Sequence, residues 1–230
     1  MKRAILCVLV ALQLLIGGAA HAERRLFIVE FNPNGYYDMT GAMAWVSDTV
    51  VDGEYNVEGR VVIQNTSDEI LAFPEAELWL YDNEKAVARI PAITVTPESL
   101  EPEGFALLTF SALGIQLGEF EKPAIWISCK PYRGEKKEMY CGMGKGWFEK
   151  SQYSEGGRMK MDIAELPKGK YDINLIAIDK NGYFVWAEDC SINTELGTVV
   201  SQGIEDYEIK LFREFGFDLD LTIYGAVYKK

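Results

Sequence analysis

The sequence contains almost no histidine, since the single imidazole among its 230 residues belongs to His21. His21 lies at the end of an N-terminal segment with the features of a secretory signal, so we expect the mature chain to contain no imidazole. This excludes Ser-His-Asp and Cys-His nucleophile activation, histidine general bases and histidine-bound zinc. Carboxylate, lysine and tyrosine chemistry remain open to an enzyme of this composition.

The N-terminal segment is typical of a cleaved signal peptide. Residues 1–3 carry a lysine and an arginine, residues 4–16 form an apolar run broken only by Gln13, and residues 20–22 read Ala-His-Ala. The run is shorter than the roughly 20 residues that a membrane-spanning helix needs. We therefore predict a signal peptide over residues 1–22 and a periplasmic or extracellular protein with no membrane span after cleavage.

Positive charge is also scarce. The chain carries 23 Lys and Arg against 35 Asp and Glu, a net charge of −12, and loss of Lys2 and Arg3 would make it −14. Such a surface repels nucleic acid and anionic lipid, so nucleic-acid binding is disfavoured.

Cysteine is limited to four residues, of which Cys129, Cys141 and Cys190 follow the signal segment. In an oxidising compartment Cys129 and Cys141 could close a short loop as a disulfide, which would contribute roughly 3 kcal/mol. The alternative is that all three are small, partly buried apolar side chains. The sequence alone leaves both open.

Helical periodicity is absent over any window of a dozen residues, and short alternating runs predominate. Residues 170–192 predict a hairpin, because Asp179-Lys180-Asn181-Gly182 supplies a turn between two such runs. The C-terminal run 217–224 alternates in the same way. Four further runs predict strands in the N-terminal half: 58–64, 76–82, 105–110 and 124–129.

Residues 58–110 carry a resemblance to a known family. The run Gly59 to Ser67, the strand Leu78-Trp79-Leu80-Tyr81-Asp82 and the segment from Leu100 to Phe110 resemble the FxLYD-type bacterial and archaeal sandwich domain, with Leu78 at the Phe position. This resemblance implies an immunoglobulin-like sandwich in an exported protein and implies no catalytic residues. The Gly169-Lys170-Tyr171 turn and strand is similar to those of many extracellular immunoglobulin-like modules.

Residues 130–157 lack sustained alternation and predict a long connector between two halves. Residues 130–160 contain eight basic and four acidic side chains, interleaved with aromatic rings. This mixture suits an acidic or sugar-bearing partner. The alternative is that the basic loop lies against the acidic surface of its own protein. The candidate binding residues are Arg133, Lys136, Lys137, Trp147 and Phe148.

Two other motifs have plain structural explanations. Gly142, Gly144 and Gly146 do not have the spacing of a phosphate-binding loop, which favours a flexible or tightly turning connector. The turn at Asp179 lacks the closing glutamate of an EF-hand, because Cys190 stands at that position. No metal or organic cofactor is predicted, although scattered carboxylates leave interdomain calcium open.

The sequence therefore predicts an all-β fold of two antiparallel immunoglobulin-like β-sandwich domains, residues 23–129 and 158–230, joined by the basic and aromatic connector. The first functional hypothesis is a non-catalytic binding or assembly module of the cell envelope or surface that engages another protein. The second is a carbohydrate-binding or adhesive module, for which some of the five tryptophans could form a platform, although strand tryptophans are usually buried. The third is a glycoside hydrolase with two carboxylates.

Overall fold

The computed structural model describes residues 25–27, 37–46, 54–116, 122–134 and 138–230. The predicted signal peptide, Lys136 and Lys137 lie outside these ranges. The described elements, in chain order, are β1 (Arg25–Phe27), β2 (Tyr37–Val46), β3 (Glu54–Asn65), β4 (Leu71–Asp82), β5 (Lys85–Thr96), β6 (Ser99–Leu100), β7 (Phe105–Gln116), β8 (Lys122–Pro131), β9 (Met139–Lys150), β10 (Gly157–Asp162), β11 (Lys170–Ile178), β12 (Phe184–Asn193), β13 (Val199–Ile204), α1 (Asp206–Glu214) and β14 (Thr222–Lys229).

The first sheet has the strand order β1-β2-β3-β7-β5-β4-β6, and β8 pairs with the other edge of β4. Strand β5 bends this sheet back on itself, because residues 85–91 pair with β4 while residues 92–96 pair with β7. The inward faces enclose the first core, which includes Val61, Ile63, Leu78, Leu80, Leu108, Phe110, Ile125 and Ile127.

The second sheet has six antiparallel strands in the order β12-β11-β14-β9-β10-β13. Its two edge strands approach each other, since Gln202 Nε2 on β13 donates to the Asp189 carbonyl on β12 at 2.8 Å. The sheet therefore curls around a second core. That core includes Met159, Met161, Ile173, Leu175, Val200 and Ile223, together with Ile209, Leu211 and Phe212 from α1.

The two sheets are packed on each other. Val62 and Leu107 on the outward side of the first sheet form a third buried cluster with Ile176 and Ala187 of the second. Asn174 Nδ2 on β11 donates to the Thr96 carbonyl at 2.8 Å. The two halves consequently share a buried interface.

That interface is extended by a tyrosine from the C-terminal strand. Tyr228 on β14 is 1% exposed and contributes its ring to the first core. Its hydroxyl accepts a hydrogen bond from the Phe105 backbone N–H at 2.7 Å and donates to the Phe105 carbonyl.

The all-β class is confirmed, and all four N-terminal strand predictions and the 170–192 hairpin coincide with observed strands. The description as two immunoglobulin-like domains stays a prediction. The prediction of a connector over residues 130–157 is wrong, because β9 occupies residues 139–150 and lies between β14 and β10 in the second sheet. The predicted domain boundary at 158 would separate this strand from its partners.

The C-terminal alternating run, residues 217–224, coincides with a strand only in its last three residues. The strand begins at Thr222, and Phe217, Leu219 and Leu221 contact the second core from the irregular segment that follows α1. Alternation of apolar residues therefore marks burial here without marking a strand. Among the described residues, no helix is both long and apolar enough to cross a bilayer.

Candidate functional site

A β-bulge in β9 decides which side chains of the predicted connector reach the surface. Tyr140 pairs with Tyr228 and Gly142 pairs with Val227, so Cys141 has no partner on β14. Gly142 has φ 113°, a conformation that side-chain-bearing residues rarely adopt. The extra residue shifts the alternation of the strand from even to odd positions. Tyr140 therefore lies on the same side of β9 as residues 143, 145 and 147, and it packs against the first core.

These residues form part of an open outer surface, here named the β9–β10 face. Met143, Lys145 and Trp147 come from β9, and the register places Lys160 beside Trp147 and Ser201 beside Lys160. Trp147 is 44% exposed and Met143 is 39% exposed. The face comprises Met143, Lys145, Trp147, Glu149, Arg158, Lys160, Asp162 and Ser201.

Polar contacts hold several of these side chains in place. Lys160 forms an ion pair with Glu149, and Arg158 Nε donates to Ser201 Oγ at 2.6 Å. The face carries three cations and two carboxylates, in contrast to the net charge of −12 of the chain. It is therefore a locally basic, aromatic patch on an acidic protein.

The structure separates the predicted binding residues. Trp147 lies on the β9–β10 face, but Phe148 points to the other side of β9 and packs against the second core. Arg133 is exposed in the segment that follows β8. The proximity of Arg158 and Lys160 to Trp147 has no local signal in the sequence, because it depends on pairing between β9 and β10.

The glycines of β9 line a strand and do not form a turning connector. A Cβ at Gly144 or at Gly225 on β14 would overlap the side chain of Met161, which lies across both positions. The glycine string therefore makes room for a buried methionine of the second core.

The three described cysteines are free thiols in the structure, so it does not contain the Cys129–Cys141 disulfide that the sequence leaves open as one of two alternatives. Cys129 packs against the first core from β8, whereas Cys141 is exposed at the bulge of β9 in the second sheet. Burial raises the pKa of the Cys129 thiol to about 11 and that of Cys190 to about 12. Both stay protonated near neutral pH, which disfavours a nucleophilic role.

The Asp179 motif forms the predicted turn. Asp179 Oδ1 accepts hydrogen bonds from the backbone N–H groups of Asn181 at 2.8 Å and Tyr183 at 2.9 Å. Within the described ranges, no group of three or more His, Cys, Asp or Glu side chains is arranged to hold a metal ion.

A second aromatic surface lies on the outer side of the first sheet, here named the β4–β8 face. Trp126 on β8 is 43% exposed and stands opposite Glu77 on β4, while Trp79 lies two residues further along β4. The Trp79 and Tyr81 rings are 5.8 Å apart. Burial was expected of strand tryptophans, and it holds for Trp186, which is 1% exposed, but not for Trp126.

A charged cluster lies where β3, β12 and α1 meet. Arg60 Nη2 donates to Glu188 Oε1 at 3.0 Å, and its guanidinium lies 4.8 Å from the Trp186 ring centroid. Glu208 of α1 is 6% exposed and accepts a hydrogen bond from the Glu205 backbone N–H at 2.7 Å. Desolvation, opposed by that hydrogen bond, raises the pKa of Glu208 to about 7.

The chain matches no protein family model, no curated protein and no solved structure. Functional inference accordingly depends on the two surfaces and the charged cluster.

Proposed function

We propose that this protein is a non-catalytic binding or assembly module, exported to the cell envelope or surface, that engages another protein through the β9–β10 face. The observation that carries the proposal is the exposure of Trp147 and Met143 in one row on β9, beside the cations of β10.

The side chains of this face have the chemistry of a protein interface. Tryptophan and arginine are the residues whose truncation most often costs binding energy, and methionine adapts its shape to a partner. Trp147, Met143 and Arg158 supply all three types within two adjacent strands. Removing Trp147 from water on binding would therefore provide the main apolar contribution.

The backbone under the face supports binding because it is held on both sides. Strand β9 pairs with β14 over residues 139–147 and with β10 over residues 147–150, so Trp147 has a partner strand on each edge. Side chains on paired strands lose less conformational freedom on binding than side chains on a loop, which favours affinity. The ion pair of Lys160 with Glu149 and the bond of Arg158 to Ser201 add to this ordering.

Charge indicates which partner surfaces fit. Three cations against two carboxylates make the face attractive to acidic side chains, while the remaining acidic surface repels them. We expect a partner with an apolar pocket for Trp147 and carboxylates at its rim.

The test is affinity capture from the envelope fraction of the source cells with the mature protein, a Trp147→Ser variant and a Trp126→Ser variant. Trp126 is a matched control, because it is also a strand tryptophan of nearly equal exposure, 43% against 44%, but lies on the first sheet. We expect the Trp147 variant to lose the partner and the Trp126 variant to retain it.

A further variant separates the face from the basic segment that precedes β9 in the sequence. Replacement of Arg133, Lys136 and Lys137 by serine changes no residue of the β9–β10 face. If this variant loses the partner and Trp147→Ser keeps it, the face is not the interface. Loss in both tryptophan variants would also contradict the assignment, since the two side chains lie on different sheets.

A further inference from the structure

We propose that the β4–β8 face binds a neutral glycan. This inference concerns a surface separate from the β9–β10 face and stands independently of the proposed protein partner.

Aromatic rings follow a diagonal line across the face. Trp126 stands opposite Glu77, Trp79 stands opposite Ala124, and Tyr81 lies two residues beyond Trp79 on the same side of β4. Diagonal neighbours on antiparallel strands are about 7–8 Å apart, within reach of aromatic side chains. The register thus places the exposed ring of Trp126 diagonally beside Trp79, whose ring lies 5.8 Å from that of Tyr81.

These rings are not needed to close the core below them. The inward positions of the same strands are filled by Leu78, Leu80, Ile125 and Ile127, all 8% exposed or less. Trp126 therefore presents a large apolar ring to solvent although its neighbours on the inner side already complete the packing. Aromatic faces of this kind contact the C–H faces of sugar rings, with polar groups beside them to bond the hydroxyls.

The polar groups beside the rings are fixed in orientation. Trp79 Nε1 donates to Glu77 Oε2 at 2.5 Å, which holds that carboxylate against the sheet. The Arg89 guanidinium lies 4.1 Å from the Trp79 ring centroid, and Arg89 itself is exposed. A stacked guanidinium keeps its donors in one plane and loses little freedom when it bonds a ligand. Arg89 donors and Glu77 acceptors together suit the paired hydroxyls of a sugar.

Charged groups of both signs lie on the face. Glu75 and Glu77 lie among Arg89, Lys130 and Lys122, which the register places opposite Tyr81, while the chain as a whole carries −12. An extended anionic polysaccharide would be repelled by this overall charge, and one cation in excess on the face compensates little for the repulsion. A hydroxyl-rich, uncharged chain meets both donors and acceptors without such a cost.

The experiment is affinity electrophoresis of the full mature protein through gels that contain hydroxyethylcellulose, xyloglucan, galactomannan or arabinoxylan, with polygalacturonate as the anionic comparison. Calorimetry then gives the affinity for any glycan that retards the protein. We expect retardation by at least one neutral glycan and none by polygalacturonate.

Three variants locate the site. Trp126→Ala should weaken binding roughly tenfold or more, since the stacking ring is lost. Arg89→Lys, which keeps the charge but loses the planar fork, should weaken it by a smaller factor. Trp147→Ala should bind as the parent does, and matched unfolding curves confirm that each variant is folded.

Several outcomes overturn the inference. These are no retardation by any neutral glycan, retardation by polygalacturonate alone, or binding that survives Trp126→Ala unchanged. Loss of the protein partner in Trp147→Ser with glycan binding retained supports two separate surfaces. Glycan binding that depends on Trp147 instead of Trp126 would assign the sugar to the other face and refute this proposal.

Discussion

Glu208 is the residue whose ionisation is most altered by the fold. It lies buried in α1, where Arg60 of β3 and Glu188 of β12 act on its charge. Its side chain accepts a hydrogen bond from the Glu205 backbone N–H in a capping box. Desolvation and the carboxylates of Glu188 and Glu58 outweigh the opposing effects of the Glu205 hydrogen bond and Arg60, so its pKa rises to about 7.

A raised carboxyl pKa has a defined consequence for stability. The folded protein holds a proton at Glu208 that the unfolded chain releases near pH 4.5. The contribution of Glu208 to the free energy of unfolding is therefore complete below about pH 4.5. It falls as the pH rises from there through about 7, by up to about 3 kcal/mol in all.

We expect Glu208→Gln to remove this dependence, because glutamine stays neutral and can still accept the capping-box hydrogen bond. Urea unfolding should show the variant more stable than the parent at pH 8 and equal to it near pH 4.5. Glu205→Gln, at the exposed N-cap, is the control and should not produce this difference. Parallel pH profiles for parent and Glu208→Gln would contradict the prediction.

At the scale of the element, strand β9 is specified by glycine and by its neighbours more than by its own apolar pattern. Gly144 faces Met161 at a distance that a Cβ cannot share, and the positive φ of Gly142 allows the bulge. The strand is held by β14 over residues 139–147 and by β10 over residues 147–150.

Gly144→Ala should destabilise the protein by about 1 kcal/mol, since the added methyl overlaps the terminal methyl of Met161, which must change rotamer in a packed core. Gly197→Ala is the matched control, because a Cβ there meets open space, and we expect its effect to lie within about 0.5 kcal/mol. Denaturant unfolding measures both.

The double variant Gly144→Ala/Met161→Ala identifies the cause. In the Met161→Ala background the cost of Gly144→Ala should largely disappear, because the overlapping atoms have been removed. An equal cost in both backgrounds would place the strain elsewhere, for example in the backbone of β9.

Strands that alternate clearly could be predicted from sequence, and β9 could not. Residues 170–192 show apolar alternation around a turn, and the observed hairpin matches it. In β9 the inward positions 142, 144 and 146 are glycines, so the buried side of the strand shows no alternation of apolar residues. Met161, which fills that space, lies on a different strand and gives no local signal.

The two candidate surfaces are predictable from sequence only in part for the same reason. The basic and aromatic composition of residues 130–160 makes Trp147 a candidate, but its neighbours on the face come from β10, whose register is a long-range property. The exposure of Trp126 depends on the sheet bending at β5, so that β8 has one face toward the first core and the other toward solvent.

At the scale of the whole molecule, the two sheets act as one packed body. Val62, Leu107, Ile176 and Ala187 are buried between them, and Arg60 on the first sheet pairs with Glu188 on the second. The sequence indicated two sandwiches joined by a connector, whereas the connector is a strand and the halves share a core. The resemblance to the FxLYD-type domain remains a prediction for residues 58–110.

Trp147 and Trp126 lie in different surroundings. The β9–β10 face sets Met143 and the cations of β10 beside Trp147, which suits the proposed protein partner, while the β4–β8 face sets Trp79, Glu77 and Arg89 around Trp126, which suits the proposed glycan. We expect a module with both faces to link a protein partner to a polysaccharide.

Site-specific photo-crosslinking in the source cells tests the central claim, protein binding at the β9–β10 face, most directly. A benzophenone amino acid replaces Lys145, on the face, or Lys168, exposed in the turn before β11. We expect the probe at position 145 to give a discrete adduct with one envelope protein, and the same probe in a chain that also carries Trp147→Ser to give none. The probe at position 168 should give no such adduct. Absence of an adduct at position 145, or the same adducts from both positions, would contradict the account.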